Sequence, residues 1–417
     1  MKLAGLSLIF GSVILVSCGG GSASGPPIQN PPPNNGPASG SEFLYQVSVT
    51  ADIQVSTLNS STGSLSALTD AAPDVIVENL GLPPVATPSG KFLYVQGFDQ
   101  DPMTQPPVSP VNAIYCFSIT GSEGELTSLS GSPFISSNLL DPSLFIGPTA
   151  SGMVMDGKGR FLFLSDFGSS NSSGQQINSI RPYTITSDTG ALQNGPVLSS
   201  STVAWYVQAI DPTNRYLYAW VLLPTSIGVS VFSIDPSTAA LTEIPGSPFP
   251  VTDTSVYLEY NVRVSASPLG DFVFVSVFTN AGGSEVFAFS ADSTTGALTA
   301  TSASPFPIGN AVASILHPSG KFIYATLPSA TDPSLSGYAV DPTSGSISST
   351  PVSSVSTSSY HGSTLIDPDG SVLVFNDSDN TASTYLIDGS TGALSNVAGS
   401  PFGVALQWES ALIVRIP

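Results

Sequence analysis

One short phrase returns seven times along the chain, and it restricts the possible folds more than any other feature. Each copy has a Gly or Ala in its second position and a Leu or Ile in its fourth, as in Thr391-Gly392-Ala393-Leu394. The copies lie at 62–65, 123–126, 189–192, 238–241, 295–298, 344–347 and 391–394. A unit of about 55 residues cannot bury both of its faces alone, so the repeat predicts one stacked or circular architecture.

A second phrase precedes six of these copies. Most copies join a polar residue and Pro to a Gly, and each continues into an aromatic or β-branched run, as in Lys321-Phe322-Ile323-Tyr324. The copies lie at 87–94, 156–163, 211–218, 267–274, 317–324 and 367–374. Pro followed closely by Gly is turn chemistry, and the apolar run after it predicts a strand.

Each unit therefore predicts four strands, here named a to d in chain order. In the sixth unit they fall at 312–316, 322–326 and 336–340, with the fourth beginning at Ile347. Seven such units predict an all-β fold, a seven-bladed β-propeller of four-stranded antiparallel blades.

The two ends of the repeat predict how the ring closes. The chain enters at 42–45 on a strand b with no strand a ahead of it, and it ends with a segment, 411–417, that matches 312–318. The C-terminal strand should therefore join the N-terminal blade, which removes open sheet edges. This alignment puts Arg415 in the slot of Leu316. Arg415 either reaches a carboxylate at the channel end or, as we favour, pairs to lock the closure.

The direction of each strand determines on which of the two faces of the ring each connection lies. The a–b and c–d turns share one face, named the tight-turn face, and the b–c and d–a connections share the other, named the loop-rich face. Long insertions at 96–112, 127–150 and 165–178 belong to the second group. Functional residues concentrate in loops on rigid scaffolds, so the loop-rich face is the expected site.

The N-terminus is an export signal. Lys2 precedes an apolar stretch over 3–16, and the Leu-Val-Ser-Cys of 15–18 resembles the lipobox of bacterial lipoproteins. This predicts a signal peptide over 1–17, a lipid anchor on Cys18, a disordered Gly/Ser/Pro/Asn linker over 18–41 and a propeller over 42–417. The protein should sit in the bacterial cell envelope, on the outer-membrane or periplasmic side, and not in the cytoplasm.

Charge restricts the partners. Nine basic residues face 29 acidic ones, a formal net charge of −20, which excludes nucleic acid as a partner. The chain is expected to be a monomer. With Cys18 lipidated, Cys116 has no disulfide partner and should be a buried strand thiol.

Together the turn phrases, and the Gly-Ser-Pro-Phe tags at 131–134, 246–249 and 399–402, resemble the lactonase-type seven-bladed propeller family. That family includes 6-phosphogluconolactonase-like enzymes and muconate-lactonizing cycloisomerases. The resemblance covers 42–417 and implies that a lactone ring is opened or closed at the mouth of the central channel. Its members carry a Pro-Arg-His segment in a central strand a, followed after the turn by Asn-Glu. Here Arg263 stands where that His would fall, and no Asn-Glu follows.

Two weak catalytic candidates follow from this comparison, Arg263 to polarise a carbonyl and His361 as general base. The other histidine, His317, precedes a turn Pro and is interpreted as a turn residue. The acids at 99–101 and 377–380 are interpreted as solvated loop residues, and no metal or cofactor is expected. Two functions stay open: hydrolysis of a small lactone, or a non-catalytic propeller that binds protein or polysaccharide through its loop-rich face.

Overall fold

The structure is a computed structural model. The regular secondary structure of the residues that it describes consists of strands. The described residues are 41–48, 53–67, 83–99, 111–135, 152–170, 176–252, 257–279, 284–302, 304–308, 311, 313–327, 333–357, 364–377, 380–404 and 408–416. Within these ranges no helix is long and apolar enough to cross a membrane. The predicted signal peptide and nearly all of the predicted linker lie outside them.

The described strands form seven antiparallel sheets, which confirms the predicted seven-bladed propeller. Blade 1 contains, from strand a to strand d, Trp408–Ile416, Ser41–Ser48, Ile53–Leu58 and Leu65–Ala67. Blade 2 contains Val85–Ala86, Phe92–Asp99, Val111–Thr120 and Glu125–Ser128; blade 3 contains Met153–Met155, Phe161–Ser170, Gln176–Ile185 and Leu192–Asn194. Blade 4 contains Trp205–Ile210, Tyr216–Leu222, Ile227–Ile234 and Leu241–Glu243; blade 5 contains Tyr257–Ala266, Phe272–Thr279, Ser284–Ala291 and Leu298–Ala300. Blade 6 contains Ala313–Leu316, Phe322–Leu327, Ser334–Ala339 and Ser353–Ser356; blade 7 contains Thr364–Ile366, Val372–Asn376, Thr381–Ile387 and Leu394–Asn396.

In five blades the outer strand continues after a break in a second short segment that also pairs with strand c. These segments are Phe134–Ile135, Leu198–Ser200, Phe249–Thr252, Phe306–Pro307 and Phe402–Gly403. The Ser of the Gly-Ser-Pro-Phe tag lies at this break. The hydroxyl oxygens of Ser132 and Ser400 accept the backbone N–H of Cys116 and Thr384 in strand c at 2.9 Å. The tag therefore belongs to the framework.

The C-terminal strand closes the ring as predicted, but its register differs from the prediction by two residues. Leu44 lies opposite Ile413, as Ile323 lies opposite Leu316 in blade 6. Ile413, not Arg415, therefore occupies the slot of Leu316. Arg415 lies further on, opposite Glu42, because strand a of blade 1 keeps pairing where the other blades turn.

Two further boundaries differ from the prediction. The outer strand of blade 6 is Ser353–Ser356, and Ile347 makes only an isolated bridge with Val340. Parts of the predicted insertions are strand, because the b–c hairpins of blades 2 and 3 keep pairing as far as Asp99–Val111 and Ser170–Gln176. Much of the remainder of those insertions lies outside the described residues.

In five blades the glycine of the repeated c–d turn packs against an aromatic residue in strand b of the preceding blade. Gly392 has φ of 73°, and a Cβ placed there would lie 2.5 Å from the Phe322 ring. The neighbouring Tyr324 hydroxyl donates to the Gly392 carbonyl at 3.0 Å, and Tyr94 donates to Gly190 at 2.8 Å. The seven-fold phrase thus joins each blade to the next.

Replacing Gly392 with Ala is expected to destabilise the protein by about 2 kcal/mol or more, because a left-handed backbone disfavours Cβ and Phe322 leaves no room for it. Blade 4 supplies the control, since Ala239 holds the same turn position at φ of 61°. Ala239→Gly should change the free energy of unfolding by less than about 1 kcal/mol. Urea unfolding measures both variants, and equal losses would contradict the packing described here.

Candidate functional site

Arg263 lies on the innermost strand of blade 5 and points toward blade 6. It is opposite Ser276 of strand b, and its Nη1 donates to the Ser314 carbonyl of blade 6 at 3.1 Å. The hydroxyls of Ser276 and Ser314 lie 2.6 Å apart and bond to each other. Two inner strands and one serine pair therefore position this guanidinium beside the central channel.

Among the described residues, no carboxylate neutralises the charge of Arg263. Within the described ranges no carboxylate lies within 4.0 Å of it, whereas Arg160, Arg181 and Arg415 all form ion pairs. Burial lowers the pKa of Arg263 to about 10, so the side chain remains a cation at neutral pH. In a chain of net charge −20, a partly buried cation with no counter-ion among the described residues is suited to an external anion or carbonyl oxygen.

A guanidinium carries five N–H donors in a planar fork, and a hydrogen bond to the Ser314 carbonyl accounts for one of them. The others suit a carboxylate or the oxygen of a polarised carbonyl. The described residues place no histidine or carboxylate on the Ser276–Ser314 pair. His361, the predicted base, lies outside the described residues, as does Cys18.

His317 is a turn residue, as predicted. Its Nδ1 accepts the Ser319 N–H at 3.0 Å, and its Nε2 lies 2.8 Å from the Gly370 carbonyl of blade 7. The ring is 3% exposed, and burial lowers its pKa. His317 thus connects two a–b turns on the tight-turn face.

Sequence reasoning missed a set of buried polar residues near the loop-rich ends of the strands b. Asp377, predicted as a solvated loop acid, is fully buried and accepts the Ser383 hydroxyl at 2.7 Å. Asp166 holds the equivalent place in blade 3, where it pairs with Arg181. The prediction was wrong because the sheet extends past the apolar run. A sequence signal existed, since both acids lie at the same offset from the preceding turn.

Polar contacts at this level also join neighbouring blades. Ser165 accepts the Val207 N–H of blade 4 at 2.9 Å, and Thr326 lies 3.4 Å from Thr364 of blade 7. Gln46 and Gln96 are buried, and their side-chain amides have no hydrogen-bond partner within the part of the chain that the structure describes. The buried side chains of the blades are therefore polar near the loop-rich face, whereas those near the tight turns are largely aromatic.

Arg415 pairs at the ring closure, as predicted. It forms ion pairs with Glu42 in the neighbouring strand of blade 1 and with Asp369 in the a–b turn of blade 7. Burial alone would lower the pKa of Arg415, but the two carboxylates raise it overall. This cluster lies on the tight-turn face, away from Arg263.

No protein-family model matches the sequence, and no curated protein matches it. Solved structures do match. A candidate 6-phosphogluconolactonase of Bacteroides uniformis is 18% identical, with a TM-score of 0.63 over 90% of this chain and 100% of that chain. The periplasmic gluconolactonase PpgL of Pseudomonas aeruginosa is 19% identical, with a TM-score of 0.64 over 91% of this chain and 100% of that chain. The chain shares the seven-bladed fold of these lactonase-like propellers.

Proposed function

We propose that this protein hydrolyses a small lactone at Arg263. The observation that carries the proposal is a partly buried guanidinium on the inner strand of blade 5, with no carboxylate partner among the described residues. The ester carbonyl of a lactone becomes an oxyanion during hydrolysis, and a fixed cation stabilises that charge more than it stabilises the neutral substrate. The structural likeness to a gluconolactonase supports the same chemistry.

In this proposal the N–H groups of Arg263 bind the carbonyl oxygen while water attacks the carbonyl carbon. The ring C–O bond then breaks, and the ring oxygen takes up a proton to give the hydroxy acid. His361 is the proposed base, taking the proton from water and returning it to the ring oxygen. The hydroxy acid carries a carboxylate, which the same guanidinium can bind.

The alternative is a propeller that binds a ligand without catalysis. It is favoured by the serine pair beside Arg263, whose hydroxyls bond to each other rather than to a base within the described residues. A binding protein needs the cation but not the base.

One screen separates the two functions. Purified protein is mixed with aldonolactones and lactone signals, and acid release is followed at constant pH. We expect hydrolysis of at least one class well above the uncatalysed rate, and its loss in His361→Ala. Binding without turnover by wild-type protein supports the alternative, and neither binding nor turnover contradicts both.

We further propose that the propeller is held in the cell envelope by a lipid on Cys18. The first strand begins at Ser41 on the tight-turn face, so a tether ending there leaves the loop-rich face directed away from the anchor. The periplasmic location of the Pseudomonas aeruginosa relative supports an envelope location.

Replacing Cys18 with Ala is expected to move the protein from the membrane fraction to the soluble fraction, because several acyl chains are needed for stable anchoring. Cys116→Ala is the matched control, since that thiol is buried in strand c of blade 2 and should not affect fractionation. Membrane retention of the Cys18 variant would contradict the lipid anchor.

A further inference from the structure

The ring closure contains an excess of buried negative charge. Carboxylate oxygens of Glu42, Asp367 and Asp369 all lie within 4.8 Å of one another, and Arg415 forms ion pairs with Glu42 and Asp369. Glu42 is 1% exposed and Asp367 is fully buried. Three carboxylates around one guanidinium leave two charges uncompensated when all are ionised.

Glu42 is the carboxylate of this cluster that can take up a proton. Its Oε1 accepts from Arg415, while its Oε2 is buried and has no hydrogen-bond partner among the described residues. Asp367 is already held by the N–H groups of Ser371 and Val372, at 2.6 and 2.7 Å. A proton on Oε2 removes one negative charge and leaves the bond to Arg415 intact.

Glu42 is an acid at a position that is basic in four of the other six blades. Strand b of blades 2, 3, 4 and 6 is preceded by Lys91, Arg160, Arg215 and Lys321, and Glu42 holds the corresponding place in blade 1. Arg160 donates to the Pro236 carbonyl of the next blade at 3.2 Å. At the closure this contact is replaced by an acid that receives an arginine from the C-terminal strand.

We propose that Glu42, Asp367, Asp369 and Arg415 form a proton-operated clasp, which holds the C-terminal strand tightly when Glu42 is protonated and more loosely when it is ionised. The charged groups that act on Glu42 are Arg415 from the closing strand and Asp367 and Asp369 from the a–b turn of blade 7. The clasp concerns ring closure and does not depend on the proposed hydrolysis.

The direction of the pH dependence follows from Glu42. Burial, then Asp367, raises the pKa of Glu42 from 4.5 to about 7, against the opposing effect of Arg415. Because the folded state binds this proton more tightly than the unfolded state, the stabilisation is complete below pH 4.5 and is lost as the pH rises through 7. Burial raises the pKa of Asp367 as well, which acts in the same direction.

Hydrogen exchange of the closing strand, Trp408–Ile416, tests the clasp in the full chain. After correction for the intrinsic exchange rate, protection in the wild type should fall roughly tens-fold between about pH 5 and 8. Glu42→Gln keeps the acceptor for Arg415 but cannot ionise, so its protection should change less than about three-fold and exceed that of the wild type at pH 8. Asp271→Asn, at the exposed equivalent position in blade 5, should behave like the wild type.

Two results would overturn the clasp. One is wild-type protection that does not vary with pH, and the other is a Glu42→Gln chain that keeps the pH dependence. A Glu42→Gln chain that fails to fold, or is less protected than the wild type at pH 8, also overturns it, because the clasp makes ionised Glu42 the weaker state. Asp369→Asn provides an independent test, because Asp369 is the exposed carboxylate of the cluster. This substitution should raise the protection of the closing strand from hydrogen exchange at pH 8.

Discussion

Arg263→Ala is expected to lower kcat/KM for the lactone substrate by about 100-fold or more, the usual effect of losing one oxyanion donor. The guanidinium is a partly buried cation beside the channel that lacks a carboxylate partner among the described residues. Arg263→Lys keeps the charge but loses the planar fork, so it should recover only part of the activity.

Arg215→Ala is the matched control. Arg215 also lacks a carboxylate partner within the described ranges, but it is exposed on the tight-turn face and donates to the Ser293 carbonyl. Its loss should leave kcat/KM unchanged. Full activity in Arg263→Ala, with the fold intact by circular dichroism, would remove Arg263 from the site.

Arg415→Ala is expected to destabilise the protein by about 3–5 kcal/mol at pH 8, because it leaves the carboxylate of Glu42 buried without its partner. The loss should be smaller at pH 5, where Glu42 carries a proton. Urea unfolding at the two pH values measures both effects.

Arg160→Ala provides the comparison for Arg415. Arg160 also pairs with a buried acid, Asp156, but its side chain is 37% exposed against 12% for Arg415. Arg160→Ala should lower the free energy of unfolding by about 1 kcal/mol, and this loss should depend little on pH. Equal losses for the two arginines, or a loss for Arg415→Ala that is the same at both pH values, would contradict the closure described here.

The blades were predictable because their signals are local. A glycine at positive φ, such as Gly190 at 68° or Gly392 at 73°, is required by the turn itself. The aromatic strand beside it packs on the next blade, so one repeated phrase specifies both the turn and the interface between blades.

The register of the closing strand could not be predicted in the same way. Blade 1 has no a–b turn to fix the alignment of strand a with strand b, so the match of 411–417 to 312–318 rested on apolar pattern alone. The ladder instead places Arg415 opposite Glu42. The opposite charges of these two residues were the available signal, since four of the other six blades have a basic residue at the position of Glu42.

The site was predicted only in part. Sequence alignment to the family pattern selected Arg263, but its contact with Ser314 of the next blade depends on the ring, which brings residues 51 positions apart together. The buried acids Asp166 and Asp377 were missed, because a polar residue after an apolar run is read as the end of a strand.

A crystal structure with a bound hydroxy acid, such as gluconate, tests the central claim most directly. We expect its carboxylate beside Arg263 between blades 5 and 6, with oxygens about 2.7–2.9 Å from guanidinium nitrogens. A hydroxy acid bound only elsewhere on the loop-rich face, with Arg263 contacting protein alone, would contradict the assignment of this guanidinium as the binding group.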